Sequence, residues 1–439
     1  MKFSNNEFAS DASMARRFAQ STSMIGGLLA LLAAAAPLSA NAATYFVRVD
    51  GNDTTCNGKT NAASTAAPNC SFRTIQKSAN TAIAGDNVSI QPGTFTETLT
   101  LSKAGTSSGT IVFSGPGATL KGNLKVTGQY TTIDGITISP PSAGGLYAVS
   151  ISGVHDVLSN CLVTAYGASA SDQATAIGFE GGSFNTVEGC TIRDLNDIDV
   201  FHVWGHDNTI RNNYITNIQQ VNYNLNHTDF IQTWGYSGAQ AYNILVDSNV
   251  VTNSSSQLGN TETDGQTGLH DWTFRNNVFA NIDNAFFWGI PTSRFYNNVF
   301  YNVGKNQGYA LSLYTQTNYS SVGDEIVNNV FMANIGDVDF HSTSVSQLAA
   351  YTNNYFGTAT FGTKSGSLGT SAINGGDPKF KSISTADFHP QVGSVLIGKA
   401  KSLASAFTVD GDGNTRSTWD IGSFKYGGVA PPEGVKMTP

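Results

Sequence analysis

Between residues 158 and 356 the chain returns repeatedly to one short pattern, an Asn set between apolar residues. It is seen in Leu158-Ser159-Asn160-Cys161-Leu162, Arg211-Asn212-Asn213-Tyr214-Ile215 and Val246-Asp247-Ser248-Asn249-Val250-Val251. It recurs in Phe274-Arg275-Asn276-Asn277-Val278-Phe279, Phe295-Tyr296-Asn297-Asn298-Val299-Phe300, Ile326-Val327-Asn328-Asn329-Val330-Phe331 and Tyr351-Thr352-Asn353-Asn354-Tyr355-Phe356. In Val187-Glu188-Gly189-Cys190-Thr191-Ile192 a Cys takes the marked place, and successive marks lie 21 to 36 residues apart. One turn of a parallel β-helix needs that much chain: three short strands, the bends between them, and insertions absorbed in loops on one side. The fold class expected is therefore all-β, a right-handed parallel β-helix.

Each marked Asn then stacks on the Asn of the next coil, its amide bonding along the column and closing a bend. Asn213, Asn249, Asn277, Asn298 and Asn329 are expected to be buried and stacked. Counted from Asn160, Cys161 falls level with Thr191 and not with Cys190, so the two thiols are expected on opposite strand faces, unbridged.

Composition agrees with strands and turns. Only 12% of the 439 residues are charged, 46 are Gly and 10% are aromatic, which argues against helical bundles and coiled coils; 40% hydrophobic content argues against disorder. Residues 1–42 read as a signal peptide: Arg16 and Arg17 precede an apolar run from Ile25 to Ala36, closed by the small residues Ser39-Ala40-Asn41-Ala42. Met14 is an alternative start, and Arg16-Arg17 a weak match to a twin-arginine signal. The apolar run is shorter than the roughly 20 residues of a membrane span. Without residues 1–42 the chain keeps 20 basic and 29 acidic residues, a net charge of −9 that disfavours nucleic acid and anionic membrane as partners. A secreted or periplasmic monomer is expected, and in an oxidising compartment Cys56 and Cys70, flanking a Gly- and Ala-rich loop, suit a disulfide.

The segments Thr44-Tyr45-Phe46-Val47, Asp50-Gly51-Asn52-Asp53, Phe72-Arg73-Thr74-Ile75-Gln76-Lys77, Ala84-Gly85-Asp86 and Gln91-Pro92-Gly93-Thr94-Phe95-Thr96-Glu97 resemble the opening of secreted β-helix proteins of the pectate lyase-like superfamily, among them polysaccharide lyases of the pectate lyase and chondroitinase B kind. The resemblance implies a short capping helix within residues 73–84. Asp410-Gly411-Asp412-Gly413-Asn414, with Arg416 and Asp420-Ile421-Gly422-Ser423-Phe424, resembles the closing segment of such proteins; as a calcium loop it lacks the bidentate Glu, so capping is preferred. The organisation expected is a cap with first coils at 43–130, central coils carrying the groove at 131–360, and terminal coils with a tail at 361–439.

Chemistry is argued from the middle of the chain. Asp199 to Gly205, Asp229 to Gly235 and Asp283 to Gly289 all read D-x-x-x-x-W-G, and Asp264 begins the intervening copy. Strand alternation then points His202, Gln232, Trp204, Trp234 and Trp288 outward, an indole groove suited to the apolar faces of sugar rings; burial of the indoles under loops is the rival reading. Stacked coils bring Asp199 and Asp229 within roughly 5 Å, with Asp264 one coil further. Such carboxylates must be protonated, paired or metal-bound. Three readings follow: Ca²⁺ held by Asp199, Asp229 and Asp264 and bridging to an acidic sugar; an acid–base carboxylate pair of a glycoside hydrolase; or carboxylates that only cap strand ends.

His202, His206, His227 and His270 gather near this column. The leading expectation is a lyase cleaving a uronate-containing polysaccharide by β-elimination, with His227 as base beside Asp229, and Tyr223 or Tyr236 as proton donor. Zinc is a poorer match, since no metal-ligand spacing occurs. Arg211 and Arg275 either hold a substrate carboxylate or pair with Glu188 and Asp247 on neighbouring coils. A non-catalytic carbohydrate-binding protein using the same groove is the alternative of a different class.

Overall fold

Three long parallel sheets dominate the described residues. A computed structural model describes residues 42–141, 147–164, 174–221, 228–357 and 368–429. The expected signal peptide, Tyr223 and His227 lie outside the described residues, apart from Ala42 at the signal's end. Among the described residues sheet A has twelve strands, sheet B twelve and sheet C ten, and the complete coils pass from A to B to C. One coil reads Thr209–Arg211 in A, Tyr214–Gln219 in B and Asp229–Thr233 in C. The fold is a parallel β-helix, and the described residues belong to one compact unit starting at Ala42. Among them no helix is long and apolar enough to cross a membrane.

The Asn-Asn doublets divide their work at the A-to-B bend. The first Asn turns the chain: Asn160, Asn212, Asn276, Asn297, Asn328 and Asn353 have φ between 52° and 64°, a left-handed conformation that Asn tolerates better than most residues. The second forms the ladder. Asn249 donates to Asn277 Oδ1 (3.0 Å), Asn277 to Asn298 Oδ1 (2.9 Å), Asn298 to Asn329 Oδ1 (3.0 Å) and Asn329 to Asn354 Oδ1 (3.1 Å), all buried. Asn213 continues the ladder to Asn249 (3.0 Å). This is the column the repeat demands.

One detail of register differs. Leu162 pairs with Thr191, so Cys161 is level with Cys190, and the Cys161 N–H points at Cys190 Sγ (3.4 Å). Asn160 is a bend residue rather than a ladder residue, and counting from it shifts the strand by one. Both thiols remain free and buried at the head of the Asn column. Cys56 and Cys70 are bridged.

Inside the coils Phe274, Phe279, Phe286, Phe295, Phe300 and Phe331 pack as a continuous aromatic core. The helix Ile75–Thr81 sets Ile75 and Ala79 into the same core beside Val47 and Val88. The segment after residue 368 returns along the flank. Its Phe388, Leu396, Ile421 and Phe424 cover Val278, Val299 and Val330 of sheet B. Buried Arg416 donates to Asn276 Oδ1 (2.9 Å) and to the Ser423 carbonyl (2.7 Å). Asp410 accepts the backbone N–H groups of Asp412, Asn414 and Lys425, and Asp412 meets His389 (2.6 Å).

A second ladder lies at the C-to-A bend, and it contains a carboxylate. Asn185 and Asn208 each donate Nδ2 to a carbonyl of the preceding coil, Gly153 and Gly182, and accept a backbone N–H from it. Asp156 holds the equivalent place, accepts Thr131 N–H (2.8 Å), and leaves Oδ2 buried without a hydrogen-bond partner among the described residues. Burial lifts its carboxyl to about 6. With the folded pKa above the ordinary value, stability from the neutral form is complete at low pH and is lost as pH rises through about 6. Asp156→Asn supplies the missing donor without a charge. It is expected to stabilise the protein at pH 7.5 by up to about 3 kcal/mol and to change little at pH 4, read by urea denaturation at both. Equal effects at the two pH values would contradict this.

Candidate functional site

Coil length varies mostly at the two edges of sheet C, in the connections from Gln219 to Asp229 and from Thr233 to Ala241, for example. Its outer face carries two adjacent columns. One runs Tyr147, Thr175, Asp199, Asp229, Gln257; the other runs Lys125, Ser150, Gly178, His202, Gln232, Asn260, Phe287, Ser312, Asp339.

The chemistry concentrates where the columns meet at His202. Its Nε2 lies 2.7 Å from Asp199 Oδ2, and the other Asp199 oxygen accepts the Asp229 backbone N–H at 2.6 Å. With both oxygens engaged, Asp199 fixes the imidazole tautomer: Nε2 donates, and Nδ1 carries the lone pair of the neutral ring. Nδ1 is buried and has no hydrogen-bond partner among the described residues. Three rings stand edge-on to the imidazole: Trp234 at 5.2 Å, Trp204 at 5.8 Å and Tyr147 at 6.1 Å between centroids. Trp204 Nε1 donates to the Trp234 carbonyl (3.1 Å), and exposed Tyr236 lies 6.0 Å from Trp204.

Tyr147 reaches this place because residue 178 is Gly. A Cβ there would collide with the phenol ring, so the missing side chain is the slot the ring fills. Burial raises the phenol above its ordinary pKa of 10.0, and the nearby charges of Glu180 and Asp199 add to that, so Tyr147 holds its proton. Ser150 donates to Glu180 at the rim.

Several residues expected in the groove are elsewhere. Phe286 pairs with Gly259, which pairs with Ile231; Trp288 is thereby level with Thr261 and Thr233, an inward position. It is fully buried against Phe274, Phe286 and Phe295. The third D-x-x-x-x-W-G copy is slipped by one residue, and one residue reverses the face. Trp204 is buried and Trp234 half-buried, so the indole groove shrinks to this pair with Tyr236. Asp264 lies beyond the strand Gln257–Thr261, with φ 47° in a turn, while Gln257 takes the column place. His270 belongs to a corner stack with Tyr242 and His206, and its Nδ1 contacts Asp271 (2.7 Å). Arg211 and Arg275 are on sheet A, paired with Glu188 (2.7 Å) and Asp247 (2.6 Å), the reading in which they neutralise neighbouring coils.

Of the expected calcium donors, Asp264 is out of the column, Asp229 is fully buried and Asp199 accepts from His202 and a backbone amide. Among the described residues no group of three His, Cys, Asp or Glu side chains is arranged to hold a metal. A shallow cleft near Lys381, His389 and Lys425 lies in the returning tail, away from sheet C.

Tyr147, Ser150, Gly178 and Glu180 escaped the sequence reading. Tyr147 was findable by carrying the Asp199 column back two coils, but Thr175, which stands between them in the column, carries no charge to mark the place.

Among solved structures the fold matches a pectate lyase, Pel9A, over 87% of this chain and 96% of that one, at 16% identity and a TM-score of 0.56. The two share a parallel β-helix. A mannuronic acid specific polysaccharide family 6 lyase from human gut microbiota matches over 67% and 80%, at 13% identity and a TM-score of 0.50. No protein-family model matches the chain, and no curated protein matches it in sequence. At these identities the likeness of the β-helix to both lyases concerns the fold.

Proposed function

We propose that this β-helix is an exported polysaccharide lyase that cleaves a uronate-containing polymer by β-elimination at the Tyr147–His202 site. The observation that supports it most is a buried imidazole, oriented by Asp199, whose Nδ1 has no partner among the described residues, next to a phenol held in its protonated form. Buried polar atoms are rarely left unsatisfied, and here a ligand C–H is the group to be met.

In the reaction, His202 Nδ1 removes the proton on the carbon next to the uronate carboxyl. That electron pair forms the new C=C bond, the neighbouring C–O bond breaks, and the departing oxygen takes the Tyr147 proton. Gln232, one coil on and half-exposed, hydrogen-bonds the carboxyl as charge moves onto it. Trp234 and Tyr236 face the apolar side of the sugar, which must part the rings over Nδ1 to reach it. No step is drawn through a metal ion.

The test is incubation with polygalacturonate, alginate, chondroitin sulfate and neutral glycans, following both ultraviolet absorbance from conjugated C=C bonds and reducing ends. A lyase yields both signals in equal amounts. Reducing ends without absorbance would transfer the site to a hydrolase, and binding without either signal to a carbohydrate-binding protein. If His202→Ala keeps full lyase activity, His227, two residues before Asp229, is the base to test.

A further inference from the structure

Downstream of His202 the same outer column of sheet C passes through Gln232 and Asn260 and then reaches a second set of rings. Phe287 lies 6.1 Å from Tyr309 and 5.9 Å from Tyr314; Tyr314 lies 5.4 Å from Tyr319 and 4.5 Å from His341. All five rings are half-buried, on coils three to five steps beyond His202. At ~4.8 Å per coil the platform begins about 14 Å from the imidazole, a span of a few sugar units.

Ring orientation separates this cluster from the other aromatic row of the molecule. At the corner, Tyr130, His155 and Phe184 stack with interplanar angles of 15° and 22°, and His206, Tyr242 and His270 with angles of 9°, so their faces are spent on one another. In the platform the angles are 39°, 39°, 46° and 87°, which leaves ring faces unmatched. Faces of that kind take the C–H side of a pyranose.

Charge decides which pyranose. The ionisable groups around the platform are carboxylates and one imidazole that a carboxylate faces: Glu262 and Asp264 lie near Tyr319 and raise its phenol pKa, buried Asp339 accepts from Ser312 (3.1 Å) with its Oδ1 unpartnered among the described residues, and His341 Nδ1 lies 3.8 Å from Asp339 Oδ2. The cations of these coils are engaged elsewhere, Lys305 with Asp283 (2.6 Å) and Arg294 with Asp271 (3.3 Å). Burial raises Tyr309 and Tyr319 above the ordinary phenol value, so both stay neutral donors. A carboxylated sugar would meet repulsion here, whereas hydroxyl groups would find acceptors.

We infer that Phe287, Tyr309, Tyr314 and Tyr319 form a subsite for an uncharged sugar ring, so that the polymer bound along sheet C is a heteropolysaccharide, uronate at His202 and neutral sugar downstream. The inference rests on the lyase reading for the uronate half only. Affinity electrophoresis of the full chain through gels containing xylan, galactan, mannan, polygalacturonate or alginate tests the platform without turnover. Retardation by at least one neutral glycan is expected, with at least tenfold weaker binding in Tyr314→Ala and near-normal binding in Tyr314→Phe, which keeps the ring. Circular dichroism of both variants identifies a folding defect, in which case Phe287→Ala gives the same reading. Retardation by polyuronates alone, or neutral-glycan binding untouched by both ring deletions, would overturn the inference. Absence of unsaturated product with neutral binding intact would remove the lyase reading and leave the subsite standing.

Discussion

Tyr147→Phe is expected to lower formation of unsaturated product by at least about a hundredfold, because proton transfer to a leaving group by a positioned acid is commonly worth 10²- to 10⁴-fold. The substitution removes one oxygen and keeps the ring that occupies the Gly178 slot, so thermal unfolding should be unchanged. The loss should appear in kcat with KM little altered, since the phenol acts on the leaving oxygen as the bond breaks and not on the bound ground state. The pH profile adds a check that a structural role would not produce. Burial and the charges of Glu180 and Asp199 keep the phenol protonated beyond its ordinary value of 10.0, so loss of this proton should not limit the wild-type rate up to that pH. A Tyr147→Phe protein that retains most of its turnover would exclude Tyr147 as the acid. An unsaturated product formed at full rate by a His202→Ala protein would exclude its proposed partner.

How much of this could be read from the sequence depended on whether one residue of register mattered. The doublets Asn212-Asn213, Asn276-Asn277 and Asn297-Asn298 gave the period, the sheet class and the buried ladder, because those follow from spacing alone. Which face a side chain occupies follows from register, and a slip of one residue reverses it. That slip placed Trp288 in a groove when it is core, and separated Cys161 from Cys190 when they are stacked. His202, Asp199 and Trp234 were legible because their copies, Asp199–Val203 and Asp229–Thr233, are in true register. Asp264 was not, since its coil carries the column place at Gln257, where no acidic residue signals it. Tyr147 was missed for a related reason: the column place between it and Asp199 is Thr175, which carries no charge to signal it. Charge pairing was legible only as an alternative, and Arg211 and Arg275 took it.

The largest expected effect on stability is at the centre of the ladder. Asn277 Nδ2 donates to the Val246 carbonyl (2.9 Å) and to Asn298 Oδ1 (2.9 Å), while its Oδ1 accepts Asn249 N–H (2.9 Å) and Asn249 Nδ2 (3.0 Å). Asn277→Val fits the apolar surroundings in size but removes all four bonds. The Asn249 backbone N–H and the Val246 carbonyl are then buried without partners, at about 1–3 kcal/mol each, so a total loss of about 3–5 kcal/mol is expected. In a solenoid stability is close to a sum of coil and interface terms, to which the returning segment here adds its contacts across the coils of Val278, Val299 and Val330. A lesion between the coils of Asn249 and Asn298 should therefore weaken one interface and split a single urea transition into two, with coils on one side melting first. Asn253→Gly is the control: an exposed bend residue with φ 53°, where Gly is at ease, so a shift well under 1 kcal/mol is expected. If Asn277→Val unfolds in one transition at the wild-type midpoint, the amide column does not hold the coils together. Their stability must then come from the aromatic stack of Phe274, Phe295, Phe300 and Phe331 beneath it.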